Sequence, residues 1–199
     1  MKYILFSDVH CNTKSCESIV QKANKADFAI GSGDYALFRK GLKKTIESLS
    51  LIKIPVILIH GNHESYSELA DACRGLDNFH ILHGNSIEIN QVLFIGIGCA
   101  IPKTPFPSWS VDLSEESAWN FLPKPNKNFV FITHSPPFGC LDTLHNNKHI
   151  GSRTIRAFIE ESKPMFVACG HIHERWNEQA YINNIPVINA GPNGYDFEC

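Results

Sequence analysis

Short, unbroken apolar runs recur along the chain, separated by segments whose apolar positions follow a helical spacing. Tyr3–Phe6, Phe28–Ile30, Val56–Ile59, Val92–Ile97, Phe129–Ile132 and Phe166–Ala168 are the runs. Continuous apolar character marks strands buried on both faces, unlike the alternation of a half-exposed strand. Between them, Ser15–Ala26 places Ile19, Val20 and Ala23 on one helical face, and Leu37–Leu49 does the same with Leu42, Ile46 and Leu49. Ser114 predicts a helix cap, with Glu115 and Glu116 in a first turn whose dipole favours them, for a helix to about Leu122. Ile155–Ile159 belongs to a further helix. The alternation of strand and helix predicts an α/β fold. Residues 101–110 contain three prolines and predict a loop; Tyr181–Asn189 predicts a hairpin turning at Asn183-Asn184. No repeat, low-complexity tract or linker interrupts the pattern, so residues 1–199 are expected to form a single domain.

Composition narrows the class. A chain of 199 residues, 43% hydrophobic and 19% charged, has the make-up of a globular domain rather than a disordered polymer. Its longest apolar stretches are too short to cross a bilayer. A net charge of −2 gives no reason to expect a nucleic-acid duplex or an anionic membrane as partner, and the oligomeric state is not legible. Seven scattered cysteines without a Cys-x-x-Cys pair argue against a disulfide scaffold or zinc ribbon and for free thiols in a reducing compartment. The first apolar run breaks at Ser7 and Asp8, too early for a secretory segment, so it is expected to be the first strand of a cytoplasmic protein.

The residues with chemistry follow directly after the strands: Asp8-Val9-His10, Gly33-Asp34, Gly61-Asn62-His63-Glu64, His134 and Gly170-His171-Ile172-His173. Ligands in open α/β sheets gather at the carboxyl ends of strands, so these segments are expected to converge. Two carboxylates, an amide oxygen and several imidazoles suit Mn, Fe, Zn or Co rather than a calcium cage or an iron–sulfur cluster. Such a set is too large for one tetrahedral ion and right for two sharing a carboxylate, about 3.5–4 Å apart, which activate hydroxide and stabilise an in-line phosphoryl displacement. Read singly, Asp8 is a helix cap, Gly33-Asp34 a turn and His134 a loop histidine. Their occurrence in order, each after an apolar strand, is what turns them into one site.

With every motif intact, this series resembles the calcineurin-like metallophosphoesterase superfamily over nearly the whole chain. Thr133-His-Ser-Pro-Pro137, His149-Ile-Gly-Ser152, Gly170-His-Ile-His-Glu174 and Asn189-Ala-Gly-Pro192 are similar to its small prokaryotic members and to the brain-type metallophosphoesterase-domain proteins. The resemblance implies a four-layer α/β/β/α sandwich. It implies one metal on Asp8, His10, Asp34 and His173, and another on Asn62, His134 and His171, with Asp34 bridging. Mn2+ is the favoured ion, with Fe, Zn, Co or Ni as alternatives. It also implies that His63 is not a ligand but faces the phosphate, as general acid or as a transition-state hydrogen bonder. Glu64 is expected either to support the ligands from behind or, the favoured reading, to begin the next helix, Cys11 to pack, and His60, His80, His83, His145 and His149 to be ordinary residues unless the loop after His134 brings His149 to the substrate.

Departures from the superfamily's protein phosphatases narrow the substrate. Gly33-Asp34-Tyr35-Ala36-Leu37-Phe38-Arg39 lacks their Gly-Asp-x-x-Asp-Arg-Gly, and His60 stands where they carry an arginine. Without two arginines to grip a dianion, a phosphodiester monoanion is the favoured substrate. The expectation is a phosphodiesterase that hydrolyses a small phosphodiester by attack of metal-bound hydroxide. A phosphomonoesterase acting on a small metabolite and a metal-retaining binding or scaffold protein are the alternatives. Phe106, Trp109, Phe138, Trp176 and Tyr195 are expected either at the rim, where they would suit a flat group, or packed against the sandwich edge.

Overall fold

In strand β1 (Lys2–Phe6), Tyr3 and Leu5 face one side and Ile4 and Phe6 the other, and all four are buried. Successive strand residues point to opposite faces, so a run apolar at every position must be covered twice. Tyr3 and Leu5 meet Phe94, Val130, Ile132 and Phe166 of a second sheet, whereas Ile4 and Phe6 meet Ile19, Ile46 and Leu49 of helices. The computed structural model describes residues 1–199.

The first sheet has the order β11 (Tyr195–Glu198), β1, β2 (Phe28–Gly31), β3 (Val56–Leu58) and β4 (Phe79–Ile81). All its pairs are parallel except β1 with β11. The second has the order β5 (Asn85–Ile89), β6 (Val92–Ile97), β7 (Phe129–Thr133), β8 (Phe166–Cys169), β10 (Ile185–Asn189) and β9 (Glu178–Ile182). Helices α1 (Thr13–Ala23), α2 (Leu42–Leu49) and α3 (Tyr66–Ala72) cover the first sheet, and α4 (Glu115–Phe121) and α5 (Arg153–Ser162) cover the second. One core lies between the sheets and one beneath each helical layer, which makes the four-layer α/β/β/α sandwich.

The unbroken runs all became strands, the helix capped by Ser114 is α4, and the hairpin turns at Asn183-Asn184. Helix α2 starts later than its periodicity predicts. Residues 37–41 form a turn instead, closed by hydrogen bonds between Leu37 and Lys40, with Phe38 and Arg39 at φ 48° and 66°. The sequence pattern also missed β4, β5 and β11, which are short or partly exposed and carry polar residues. All seven cysteines are free and five of them are buried. No helix is long and apolar enough to cross a membrane.

Candidate metal centre

Five strands deliver the site. Asp8 and His10 follow β1, Asp34 follows β2, Asn62 and His63 follow β3, His134 follows β7, and His171 and His173 follow β8. Asp8, His10, Asp34 and His171 have φ of 53°, 43°, 61° and 69°, left-handed conformations that cost strain in a residue with a Cβ. Hydrogen bonds between the loops hold them: Asp8 N donates to Gly33 O at 2.9 Å, His10 N to Asp34 O at 3.0 Å, and Gly170 N to His134 O at 3.0 Å. Gly61 is required by close approach, because a Cβ there would lie 2.0 Å from Asp34 Oδ1.

The backbone around each imidazole decides which ring nitrogen faces inward. Ala36 O, 2.9 Å from His10 Nδ1, and Ser32 O, 2.7 Å from His134 Nδ1, can only accept, so in the neutral rings both Nδ1 atoms carry the proton. Both Nε2 atoms therefore turn lone pairs inward. His10 Nε2 lies 3.3 Å from His173 Nε2 and 3.7 Å from Asp34 Oδ2. His134 Nε2 lies 3.1 Å from Asn62 Oδ1, 3.2 Å from His171 Nδ1 and 3.4 Å from Asp34 Oδ2. Asn62 is oriented by its amide, which donates to Ser110 Oγ at 2.9 Å and so turns Oδ1 to the site. A proton from His134, His171 or His173, or a bound cation, is needed to satisfy these converging lone pairs, and the N and O donors fit divalent transition ions.

The electrostatics point the same way. Burial alone would raise Asp34, but His134, His63 and His10 outweigh it and hold the carboxyl below its ordinary range. Burial disfavours charge on His134, yet the neighbouring Asp34 lifts that imidazole to about 9. Burial and His134 together push His171 down to about 3. Asp34 thus draws positive charge onto its neighbour His134, while His171 is left neutral.

His63 differs. Phe38 N donates to its Nδ1 at 2.9 Å, so the neutral ring carries its proton on Nε2, which faces Asp34 Oδ2 at 3.8 Å. Proximity alone would admit His63 to a ligand set with His10 and Asp34. Its fixed tautomer instead makes it an inward-facing donor.

Further residues fix the inner ones. Asp8 Oδ2 accepts from Ser7 Oγ at 2.6 Å and from the Trp176 indole at 3.1 Å, while Oδ1 lies 3.8 Å from His173 Nε2. Glu64 does not begin a helix, as its sequence position suggested; Ser65 caps α3. Fully buried, Glu64 accepts from Asp34 N at 2.8 Å, Gly61 N at 2.7 Å and Ala36 N at 2.9 Å, tying two site loops together. Burial and the Asp34 charge raise it to about 7, against the pull of those amides.

The rim candidates separate. Phe106 and Trp109 stand with Phe38, which sequence reasoning did not single out, beside His63. Trp176 supports Asp8, and Tyr195 donates to Gln179 on the outer strands. Phe138 packs under the Arg153 guanidinium in a second recess of about 410 Å3, which also holds Lys103, Lys148 and His149 and reaches His171. His149 is held by Asp142 at 2.7 Å. His60 is buried, its Nδ1 donating to Gly61 O at 2.9 Å, and the Cys11 thiol packs against Lys40 O.

Comparison with known proteins gives concordant results. The model of the family described as calcineurin-like phosphoesterase matches residues 1–175. The uncharacterized protein MJ1162 of Methanocaldococcus jannaschii is 31% identical over 207 residues, which cover 98% of this chain and 90% of that one. UPF0046 protein K07C11.7 of Caenorhabditis elegans is 30% identical over 135 residues, 60% of this chain and 46% of its own length. The crystal structure of TT1561 from Thermus thermophilus superposes with a TM-score of 0.79 at 15% identity, over 96% of this chain and 89% of that one. For phosphopantetheinyl hydrolase (PptH) from Mycobacterium tuberculosis the TM-score is 0.64 at 11% identity, over 96% and 88%. The structural likenesses are likenesses of fold.

Proposed function

Because the chain belongs to the calcineurin-like phosphoesterase family, a family of metal-dependent phosphoric ester hydrolases, we propose that it is a phosphodiesterase acting on a small phosphodiester. Asp8, His10, Asp34 and His173 would hold one divalent ion and Asn62, His134 and His171 a second, with Asp34 shared and Mn2+ the favoured metal. The observation that carries this reading is the convergence of His10 Nε2, His134 Nε2, Asn62 Oδ1 and Asp34 Oδ2 on one point, a set of N and O donors that suits divalent transition ions. Two such ions supply Lewis acidity toward phosphate oxygens and an activated water at neutral pH.

The chain's own residues do the rest. His63 presents Nε2–H to the phosphate and stabilises charge that grows on its oxygens. Phe38 N, donating to Nδ1, would lose its acceptor if the ring became an imidazolium, so His63 acts as a neutral donor. Ser7 and Trp176 hold Asp8 in place, and Glu64 holds the loops of Asp34 and Gly61.

Diester preference is supported by what the arginines do. Arg39, in the segment after Asp34, pairs with Glu68 at 2.9 Å, and Arg175 is engaged by Thr143 and Glu178. Neither is free to grip a dianion. One observation favours phosphomonoesters instead: Lys103, Lys148 and Arg153 line the recess that reaches His171. Turnover of bis(p-nitrophenyl) phosphate and p-nitrophenyl phosphate by Mn2+-loaded protein decides between them. The diester should be the faster; a faster monoester overturns the preference, and no turnover of either leaves a metal-holding scaffold.

A further inference from the structure

Beside His63 the centre opens into a recess of about 500 Å3, reached past His10 and His173 and walled by Leu37, Phe38, Phe106 and Trp109. The Trp109 ring lies 4.5 Å from His63, 4.8 Å edge-on from Phe38 and 5.5 Å from Phe106, nearly parallel to it at 18°. Phe38 and Phe106 are each 52% exposed and Leu37 43%. Exposed apolar side chains gathered into one patch on the lip of a polar centre, rather than scattered singly, are the mark of a binding surface. Phe38 also sits at φ 48°, a left-handed conformation unfavourable for an aromatic residue, held by the Leu37–Lys40 turn and by Arg39 N donating to His63 O at 3.0 Å. Neither the core nor the helix that follows needs that ring there.

Resting on the phosphodiesterase reading above, we propose that Phe38, Phe106 and Trp109 form a stacking subsite for an aromatic ring carried on one ester oxygen of the substrate. The substrates are then aryl or heteroaryl phosphodiesters. Apart from the Trp109 indole N–H, the walls offer ring faces and an aliphatic side chain, so they recognise chiefly the flat face of a ring. Contact is continuous from the shelf to the centre: His63 touches Trp109 on one side and faces Asp34 Oδ2 at 3.8 Å on the other. A ring on the shelf is therefore within bonding reach of a phosphate at His63.

Calorimetric binding of phenylphosphonate and methylphosphonate to Mn2+-loaded protein tests this, since the two share an anionic head and differ in the ring. Phenylphosphonate should bind about tenfold more tightly, the effect of one stacked ring. In Trp109→Ala and in Phe106→Ala, the latter at an exposed position, that ratio should fall toward one with metal content retained. An equal affinity of the wild type for both ligands, or a ratio unchanged in both variants, overturns the subsite. Failure of the metal-loaded wild type to turn over bis(p-nitrophenyl) phosphate, a separate outcome, overturns the phosphodiesterase reading on which the subsite rests.

Discussion

His63 and His134 both lie beside Asp34, and a single backbone contact sets them apart. Ser32 O accepts a hydrogen bond from His134 Nδ1–H, which turns the Nε2 lone pair of the neutral ring inward; Phe38 N donates one to His63 Nδ1, which leaves Nε2–H facing inward. His63→Gln should keep both metals and lower the rate by about 10²–10³-fold, as for loss of one transition-state donor. Because a neutral donor does not protonate the leaving group, p-nitrophenyl and alkyl diesters should lose equally. A far larger loss with the alkyl ester would make His63 a general acid, and loss of metal would make it a ligand. Asp34 is the other decisive residue, its Oδ2 lying 3.4 Å from His134 and 3.7 Å from His10. Asp34→Asn should release metal more completely than loss of a terminal ligand such as His173. Metal analysis after dialysis checks this; two ions still held per chain would end the bridging assignment.

Among the elements, the outer helices show how side chains beyond the site hold the layers together. Glu115, in the first turn of α4, reaches the start of α5, accepting from Ser152 Oγ at 2.7 Å and from Arg153 N and Thr154 N at 2.9 Å. Two helices of the fourth layer are thereby joined through one carboxylate. Removing such a helix-end acceptor costs about 1 kcal/mol, so Glu115→Ala should lower Tm by roughly 2–4 °C with metal content unchanged. Burial would raise Glu115, but its hydroxyl and amide donors prevail and its pKa lies below the ordinary value. The folded state therefore binds this proton less readily than the unfolded chain. Its stabilising contribution is present at neutral pH and fades as pH falls through the depressed folded value. Thermal melts of wild type and variant should accordingly converge in acid, and a gap that widened there would contradict the assignment.

For the whole molecule, the centre lies where the two sheets meet, with β1, β2 and β3 of one sheet facing β7 and β8 of the other. Ions bound there would tie the halves of the sandwich together. An ion held at a thousand times its Kd stabilises the folded state by about 4 kcal/mol. Chelation should then lower Tm on the order of 10 °C and Mn2+ should restore it, whereas Asp34→Asn should show little of that shift. Coincident melting curves with and without Mn2+ would mean that the cluster holds no ion tightly.

The strands buried on both faces, the convergence of the Asp, Asn and His motifs that follow them and the proline-rich loop were legible locally, because burial on two faces leaves no polar positions and strand ends of such a fold gather at one edge. Short strands such as β4, which carries His80, gave no comparable signal. Which imidazole turns a lone pair inward and which an N–H depends on carbonyls and amides from remote loops: His134 and Ser32 are 102 residues apart. Glu64 looked like the start of a helix until packing enclosed it among three amides. The aromatic shelf arises because a left-handed turn cuts α2 short and places Phe38 against Trp109 from another loop. Residue type and spacing are properties of the chain, whereas tautomer, enclosure and the meeting of distant rings exist only after the two sheets have packed.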